Sequence, residues 1–479
     1  MAKNITTRAE NYNQWYLDVI SAGQLADYAP VKGCMVIRPN GYAIWEMMQA
    51  TLDRMFKETG HVNAYFPVLI PESFIHKEAE HVEGFSPELA VVTHAGGKEL
   101  EERLVVRPTS ETVIGHMYSQ WVQSYRDLPV LINQWCNIMR WEMRTRLFLR
   151  TSEFLWQEGH TAHETEAEAE EETLRMLEIY KRFHEEWLAI PVIPGRKSEA
   201  EKFPGAVRTY SIEALMQDGR ALQAGTSHNL GQNFAKAFNI QYLDRNNVQQ
   251  FAHTTSWGSS TRMIGGLLMT HSDDDGLVLP PKIAPVQAVV LPLCKNAEEE
   301  STVLPVADQV RKALADRFDA LRVRMDNRFD ERPAERFFRY IQQGVPLRVE
   351  IGPRDVAEGH VMLVRRDNRA KTKAPIDRVA EVAAEILETM QREMFEAARQ
   401  FRADNTQVVD DYGQFKELMA GRAGYAMCHW DGTTETELKI KEETKATIRN
   451  IPLDAPEEEG KCILTGKPSK RRVMFAQAY

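Results

Sequence analysis

The stretch NQWCNIMRWEMRTRLFLRTSEFLWQEGHTAH (residues 133–163) decides how the chain is read. Period-two alternation puts Ile138, Arg140 and Glu142 on one face of a strand, with Met139 and Trp141 on the other. A charged turn region from Met143 to Leu147 follows, and on the return strand Phe154, Trp156, Glu158 and His160 share a face. Paired as a hairpin, the two strands make one floor of charged and aromatic side chains. Arginine and glutamate in mid-strand are costly to bury without partners. Such a floor suits a ligand that carries both phosphate and carboxylate. An exposed sheet face with cross-strand ion pairs is the competing reading, and the aromatics beside the charges weigh against it.

A second stretch, SSTRMIGGLLMTHSDDDGLVLPPKIAP (259–285), runs a strand-like start into an apolar element containing Gly265 and Gly266. Glycines there allow close backbone packing beside a ligand, and Arg262 precedes them. The chain has neither G-x-x-x-x-G-K-[ST] nor G-x-G-x-x-G, so a P-loop or Rossmann cradle is not expected. Phosphate has to be gripped by arginine forks instead.

The rest of the chain sets the frame. Its 479 residues correspond to about three domains. With 43% hydrophobic residues it has the apolar material for a sizeable core, which excludes wholesale disorder. A net charge of −10 gives no overall nucleic-acid signature. Arg322 to Lys373, however, holds thirteen Lys/Arg against eight Asp/Glu, and Lys461 to Tyr479 has five basic residues and no acidic one. Local basic excess of this kind suits phosphate contacts. Five scattered cysteines, Cys34, Cys136, Cys294, Cys428 and Cys462, do not form a disulfide framework and point to a reducing compartment. No secretory signal is evident at the N-terminus, and the apolar runs are far shorter than the ~20 residues a bilayer requires. A cytoplasmic location with no membrane partner is expected.

Apolar spacing predicts a helix over 41–57, with Ile44, Met47, Met48, Leu52, Met55 and Phe56 on one face, followed by a strand punctuated by Pro67 and Pro71. The acidic run from Glu164 to Glu172 reads as a solvated helix start. Leu174, Leu177, Tyr180, Phe183 and Trp187 mark that helix's inner face. Beyond Pro281, strands at 288–293, 321–325, 347–351 and 360–366 alternate with helices at 306–317, 333–343 and 376–402. The last helix is expected to bury Val379, Val382, Ile386, Met390 and Met394. That alternation predicts a compact α/β domain with a largely parallel sheet.

The order of these segments resembles the class II aminoacyl-tRNA synthetases, and among them the prolyl-tRNA synthetases of archaeal and eukaryotic-like type. GYAIWEMMQATLDRMFKETGHVNAYFPVLIP (41–71) resembles motif 1, MRWEMRTRLFLRTSEFLWQEGHTAH (139–163) motif 2 and STRMIGGLLMTHSDDDGLVLPPKIAP (260–285) motif 3. RPTSE (107–111) and QAGTSHNLGQNF (223–234) are similar to that family's amino-acid-site signatures, GVPLRVEIGPRD (344–355) to its anticodon-binding domain, and RRVMFAQAY (471–479) to its C-terminal extension. The resemblance implies a multidomain α/β and α+β protein: an antiparallel-sheet class II catalytic domain over 1–284, an α/β anticodon-binding domain over 285–403 and a small α+β C-terminal module over 404–479. It implies ATP-dependent activation of L-proline, transfer to tRNA(Pro), Mg²⁺ arriving with the nucleotide, and a homodimer built on motif 1.

It also implies residue roles. Arg140 and Arg262 would be catalytic: Arg140 on the α-phosphate and the proline carboxylate, Arg262 over the adenine and on the γ-phosphate. Glu142, Arg150, Thr151, Phe154, Gln223, Thr226 and Ser260 would complete the ATP site. Thr109, Glu111, Trp156, Glu158, His160, Phe203 and His228, with Arg140, would form the proline pocket. His160 and His228 are expected to bind and not to transfer protons, since a carboxylate nucleophile is already ionised; structural histidines are the competing reading. Arg348, Glu350, Arg354 and Asp355 are candidates for the anticodon, with an intradomain ion-pair set as the alternative.

The chain departs from that pattern in its last module. Relatives carry four cysteines there, the first pair spaced C-x₄-C, whereas here Cys428 is followed by Thr433, and Cys462 by Leu464 and Thr465. Tetrahedral zinc needs four ligands, so no metal is expected and the module should be held by packing alone. His163 to Trp257 leaves no room for an editing insertion. A threonine-specific synthetase would recruit a pocket zinc, for which RPTSE and TSH supply no set. A catalytically silent, RNA-binding paralogue would have lost Arg140, Arg262 or pocket residues, and all are present.

Overall fold

The computed structural model describes residues 5–75, 89–421 and 424–479. Helix α1 (Pro39–Glu58) forms where the 3.6-residue apolar spacing runs, and Ile44, Met48, Leu52, Met55 and Phe56 are buried. The segment after it gives only a two-residue strand, β1 (Val62–Asn63), and a separate strand over Leu69–Pro71 in another sheet; Pro67 lies between them. Helix α2 (Glu111–Trp121) leads to the hairpin expected from the deciding stretch, β2 (Val130–Met139) and β3 (Glu153–His163). They pair antiparallel, with Gln134 opposite Glu158, Cys136 opposite Trp156 and Ile138 opposite Phe154.

Helix α3 (Glu166–Arg182) starts at a capping box in which Thr165 and Glu168 satisfy each other's backbone N–H. Its acidic start is not wholly solvated. Glu172 is buried, 2.8 Å from His61 Nε2, and accepts from Arg175. Glu170 accepts from Arg208, Tyr210 and Asn229. The helix lies across the sheet, and residues one and two turns past its cap point inward whatever their charge; Leu174, expected inside, is exposed.

Strands β4 (Val192–Arg196), β5 (Arg208–Leu215), β6 (Ala221–Gly231) and β7 (His253–Ser260) extend the sheet, and helix α4 (Arg262–His271) follows. Gly265 and Gly266 sit buried inside α4, packed against core side chains. A methyl group on Gly265 would stand 2.4 Å from Leu149 and one on Gly266 2.9 Å from Leu222. The close approach the glycines permit is therefore core packing, a correction to the expected ligand contact.

The second unit has strands β8 (Ala288–Pro292), β9 (Val323–Met325), β10 (Leu347–Ile351), β11 (His360–Arg365) and β12 (Lys371–Pro375) in the order β9-β8-β10-β11-β12. β8 pairs parallel with β9 and β10, but β10–β11 and β11–β12 are antiparallel. The sheet is mixed, not largely parallel, because a turn brings the exposed polar strand KTKAP back along β11. Helix α5 (Ala297–Arg317) begins well before the expected residue 306: Asn296 caps it, three glutamates fill its first turn, and Pro305 is accommodated within it. Helices α6 (Pro333–Gln342) and α7 (Val379–Asp404) follow the sequence closely. In α7, Val382 and Ile386 are only partly buried, while Ala383 and Leu387 take the inward positions.

The last module contributes β13 (Thr406–Val408), β14 (Tyr425–His429), helix α8 (Thr434–Thr444), β15 (Thr447–Pro452) and β16 (Arg472–Ala476). It is not held by packing alone. Ile451 and Pro452 of β15 pair with Arg196 and Gly195 of β4, so one eleven-stranded sheet runs β13-β14-β16-β15-β4-β5-β6-β7-β3-β2-β1 through both units. A buried ion cluster rivets the seam: Glu213 accepts from Lys197 Nζ at 3.0 Å and from Arg449 Nε at 3.1 Å. Breaking such a buried set from one side strands charge without solvent.

Candidate active site

The hairpin floor opens into a cleft of about 360 Å³. Phe154, Trp156, Glu158 and His160 all face it from alternate positions of β3, as their shared parity requires. β2 ends at Met139, so Arg140 and Glu142 are not strand residues and do not share a face with Ile138, which is fully buried. Arg140 turns back over the floor: its backbone N–H donates to Ser152 O at 2.8 Å, and its Nε to Pro108 O at 3.0 Å. The guanidinium lies 5.3 Å from the Trp156 ring centre and 6.0 Å from that of Phe154. Burial pushes its pKa down and the carboxylates of Glu158 and Glu111 draw it back up; an arginine keeps its proton in such surroundings.

Glu158 is the deepest charge in the cleft. It accepts from Thr109 Oγ1 at 3.1 Å, Ser110 N at 3.0 Å, Gln134 Nε2 at 3.0 Å and His160 Nε2 at 3.0 Å. Burial raises its pKa, but the hydrogen bonds and charge of His160 and the donors of Ser110 outweigh that and hold it at about 2. By linkage, its contribution to stability is present above the ordinary carboxylate range and is lost as pH falls toward that value. Burial lowers the pKa of His160, yet Glu158 and Glu111 carry it above the ordinary imidazole value, and His160 Nδ1 is 4.0 Å from Glu111 Oε1. His228 goes the other way, pushed down to about 3 by burial and by the neighbouring cations His160 and Lys197. It is a neutral ring, bonded through Nδ1 to Thr209 Oγ1 at 3.0 Å, with Phe203 against it at 4.7 Å. Two histidines of one cleft are thus shifted in opposite directions.

Arg262 closes the far side. Its Nε donates to Leu149 O, its backbone N–H to Ser260 Oγ, and the nearby cations Arg140 and Arg150 add to the burial that lowers its pKa. Gln223 and Thr226 line the same wall. Every residue expected for the proline pocket, with Phe154, Gln223, Thr226, Ser260 and Arg262 from the nucleotide set, borders the one cleft. Three expected nucleotide residues do not border it. Glu142 and Arg150 pair with each other at 2.5 Å in the loop after Arg140, and Thr151 donates to Glu153 O.

Sequence reading missed Gln134. It lies on β2 at the same parity as Cys136 and Ile138, donates to Ser110 Oγ at 2.8 Å as well as to Glu158, and accepts from Phe66 N. Its signal was the alternation itself, read one pair too late. Lys197, Glu201 and Lys202 also border the cleft from the β4–β5 loop, which carried no motif. Arg107 of RPTSE is fully buried and ties Phe66 O to Asn137. In the second unit, Arg348 and Glu350 pair at 3.0 Å, with Arg348 over Phe337; Asp355 accepts from Gly352 N and pairs with His360; Arg354 is exposed.

The fold and this arginine–carboxylate cleft are those of a class II aminoacyl-tRNA synthetase. Residues 92–271 match the tRNA synthetase class II core domain (G, H, P, S and T), 287–386 the anticodon binding domain and 412–479 the prolyl-tRNA synthetase C-terminal domain. The chain is 58% identical to the proline–tRNA ligase of Chlorobium chlorochromatii and 57% identical to that of Chloroherpeton thalassium, each over 100% of both chains. It is 56% identical to that of Roseiflexus sp., over 100% of this chain and 99% of that one. The prolyl-tRNA synthetase of Cryptosporidium parvum, solved with halofuginone and AMPPNP, superposes with a TM-score of 0.94 at 38% identity over 99% of each chain. The chain belongs to the proline–tRNA ligase family.

Replacing Gln134 by leucine removes two donors and one acceptor from buried partners. Each stranded group costs about 1–3 kcal/mol, so Gln134→Leu should lower the denaturation midpoint and raise the KM for the amino acid. An unchanged midpoint and KM would remove Gln134 from the account.

Proposed function

We propose that the chain activates L-proline with ATP and transfers the prolyl group to tRNA(Pro), with residues 1–284 catalysing, 285–403 binding the anticodon and 404–479 completing the catalytic sheet. One cleft carries the reading: it holds two guanidinium groups, Arg140 and Arg262, together with Glu111, Glu158 and the apolar faces of Trp156 and Phe203. In this reading the proline ring packs on Trp156 and Phe203, and its positively charged imino group meets Glu111. Thr109, His160, neutral His228 and Glu158 shape the rest of the pocket. Arg140 draws the proline carboxylate toward the α-phosphate of ATP, a carboxylate oxygen attacks phosphorus, and pyrophosphate leaves as Arg262 holds the γ-phosphate. The adenine lies on Phe154, with Gln223, Thr226 and Ser260 on the wall behind. Glu142, Arg150 and Thr151, from the loop after Arg140, complete the nucleotide set. A hydroxyl of the tRNA's terminal ribose then attacks the carbonyl carbon, and AMP leaves. Positioning and charge stabilisation supply the rate. Mg²⁺ arrives on the phosphates and offsets their charge.

Anticodon recognition falls to Arg348, Glu350, Arg354 and Asp355, whose edges match unpaired bases. The chain works as a homodimer in the cytoplasm. Tyr42, Val62, Tyr65 and Leu69, all within residues 41–71, are exposed apolar side chains, Tyr65 by 72% and Val62 by 59%, and exposed apolar surface suits an interface. All five cysteines are unpaired, and no helix among the described residues is long and apolar enough to cross a membrane.

A zinc ion does not fit the C-terminal module. Burial lifts the Cys428 thiol to about 12, where thiolate is scarce. Thr433 and Thr465, at two positions that would need thiolates, both donate to Asp431, at 2.8 and 2.9 Å, and Thr436 joins them at 2.9 Å. A carboxylate with three hydroxyl donors takes the place of the metal.

Arg140→Ala should cut proline-dependent ATP–pyrophosphate exchange, which needs Mg²⁺, by about 100-fold or more, and with it prolylation of a tRNA(Pro) transcript. Normal exchange by that variant would sink the role. Sedimentation as a dimer and metal analysis without stoichiometric zinc are expected of the purified protein. A monomer, or a chelator-sensitive melting temperature, would contradict them.

A further inference from the structure

The loop between β4 and β5, residues 197–207, lies between two units. Its far end carries Phe203 against His228 in the amino-acid pocket. Its near end is gripped by α8 of the C-terminal module. Ser198 Oγ donates to Glu437 Oε1 at 2.8 Å, and Lys441 Nζ to Glu201 Oε1 at 3.0 Å. Each end is braced by hydrogen bonds of its own. Ser198 Oγ also accepts from Glu201 N at 3.3 Å; Phe203 N donates to Thr209 Oγ1 at 3.0 Å, and that hydroxyl bonds His228 Nδ1.

Glu437 is expensive where it stands. Its side chain is buried, and Oε2 has no hydrogen-bond partner among the described residues. Burial, reinforced by Glu201, pushes its pKa up to about 7, against the pull of Ser198, Lys441 and Lys197. A buried half-satisfied carboxyl destabilises a fold that an apolar residue would fill at less cost. Its position is explained by the loop it holds. No residue of α8 borders the cleft, whereas the loop it holds does.

We propose that Glu437 and Lys441 are positioning residues of the C-terminal module, which latch the 197–207 loop so that Phe203 is held over the proline ring. The module therefore sets affinity for the amino acid without touching it. The proposal rests on the reading of the cleft as a proline site.

Ser198→Ala, Glu437→Leu, Glu437→Gln, their Ser198→Ala/Glu437→Leu combination and Phe203→Ala, assayed as full-length protein by ATP–pyrophosphate exchange, test it. Glu437→Leu and Ser198→Ala should each raise the KM for proline by about tenfold, with KM for ATP and kcat within about twofold, because binding of one substrate is weakened equally in the ground and transition states. The double variant should be no worse than either single one, and Glu437→Gln, which keeps an acceptor for Ser198, should restore the KM. Unchanged proline KM in Ser198→Ala and Glu437→Leu while Phe203→Ala is impaired overturns the latch alone. So do additive losses, or KM values for proline and ATP that rise together. If Phe203→Ala leaves the proline KM unchanged, the pocket reading itself fails. Should Glu437→Leu not fold, Ser198→Ala decides the matter.

Discussion

A carboxylate without solvent needs donors, and Glu158 obtains them from three separate parts of the chain. Thr109 and Ser110 come from the loop before α2, Gln134 from the neighbouring strand and His160 from its own strand. Because each donor sits at hydrogen-bonding distance, the loop, the hairpin and the His160 ring cannot move independently. Arg140 is fixed above this group by Pro108 O and the two aromatic rings. The protein's own donors thus organise the floor, which suits a reaction whose enzyme contributes charge and placement more than covalent chemistry.

The deciding hairpin was legible because strand alternation depends only on local sequence, and β3 keeps its parity over the whole cleft. Arg140 was legible by type but not by place. Alternation has no signal for where a strand stops, and the chain leaves the sheet one residue before it. The acidic start of α3 misled for a related reason. Charge pattern reports what solvent prefers, whereas Glu172 faces inward because His61 and Arg175 wait for it. Gly265 and Gly266 were recognised as close-approach positions, but sequence does not say what approaches. The nucleotide roles expected for Glu142 and Arg150 come from family motifs and not from local spacing, and the two side chains pair with each other.

Long-range pairing was the least legible feature. Nothing in the spacing of RNIP (449–452) announces that it will hydrogen-bond to strand 192–196, some 250 residues earlier in the chain. That single pairing turns a separate C-terminal module into the continuation of the catalytic sheet, and Lys197, Glu213 and Arg449 sit on the seam as a buried ion cluster. The same seam brings α8 to the loop bearing Phe203. Ladder bonds, the ion cluster and the Asp431 hydroxyl network together hold the module in place.

The central claim is that this charged floor selects a small cyclic imino acid and joins its carboxylate to a nucleotide. ATP–pyrophosphate exchange measured with each standard amino acid separately, on the purified protein without tRNA, tests it most directly. The account predicts exchange dominated by proline. Exchange dominated by another amino acid, or none from a folded protein, would contradict it.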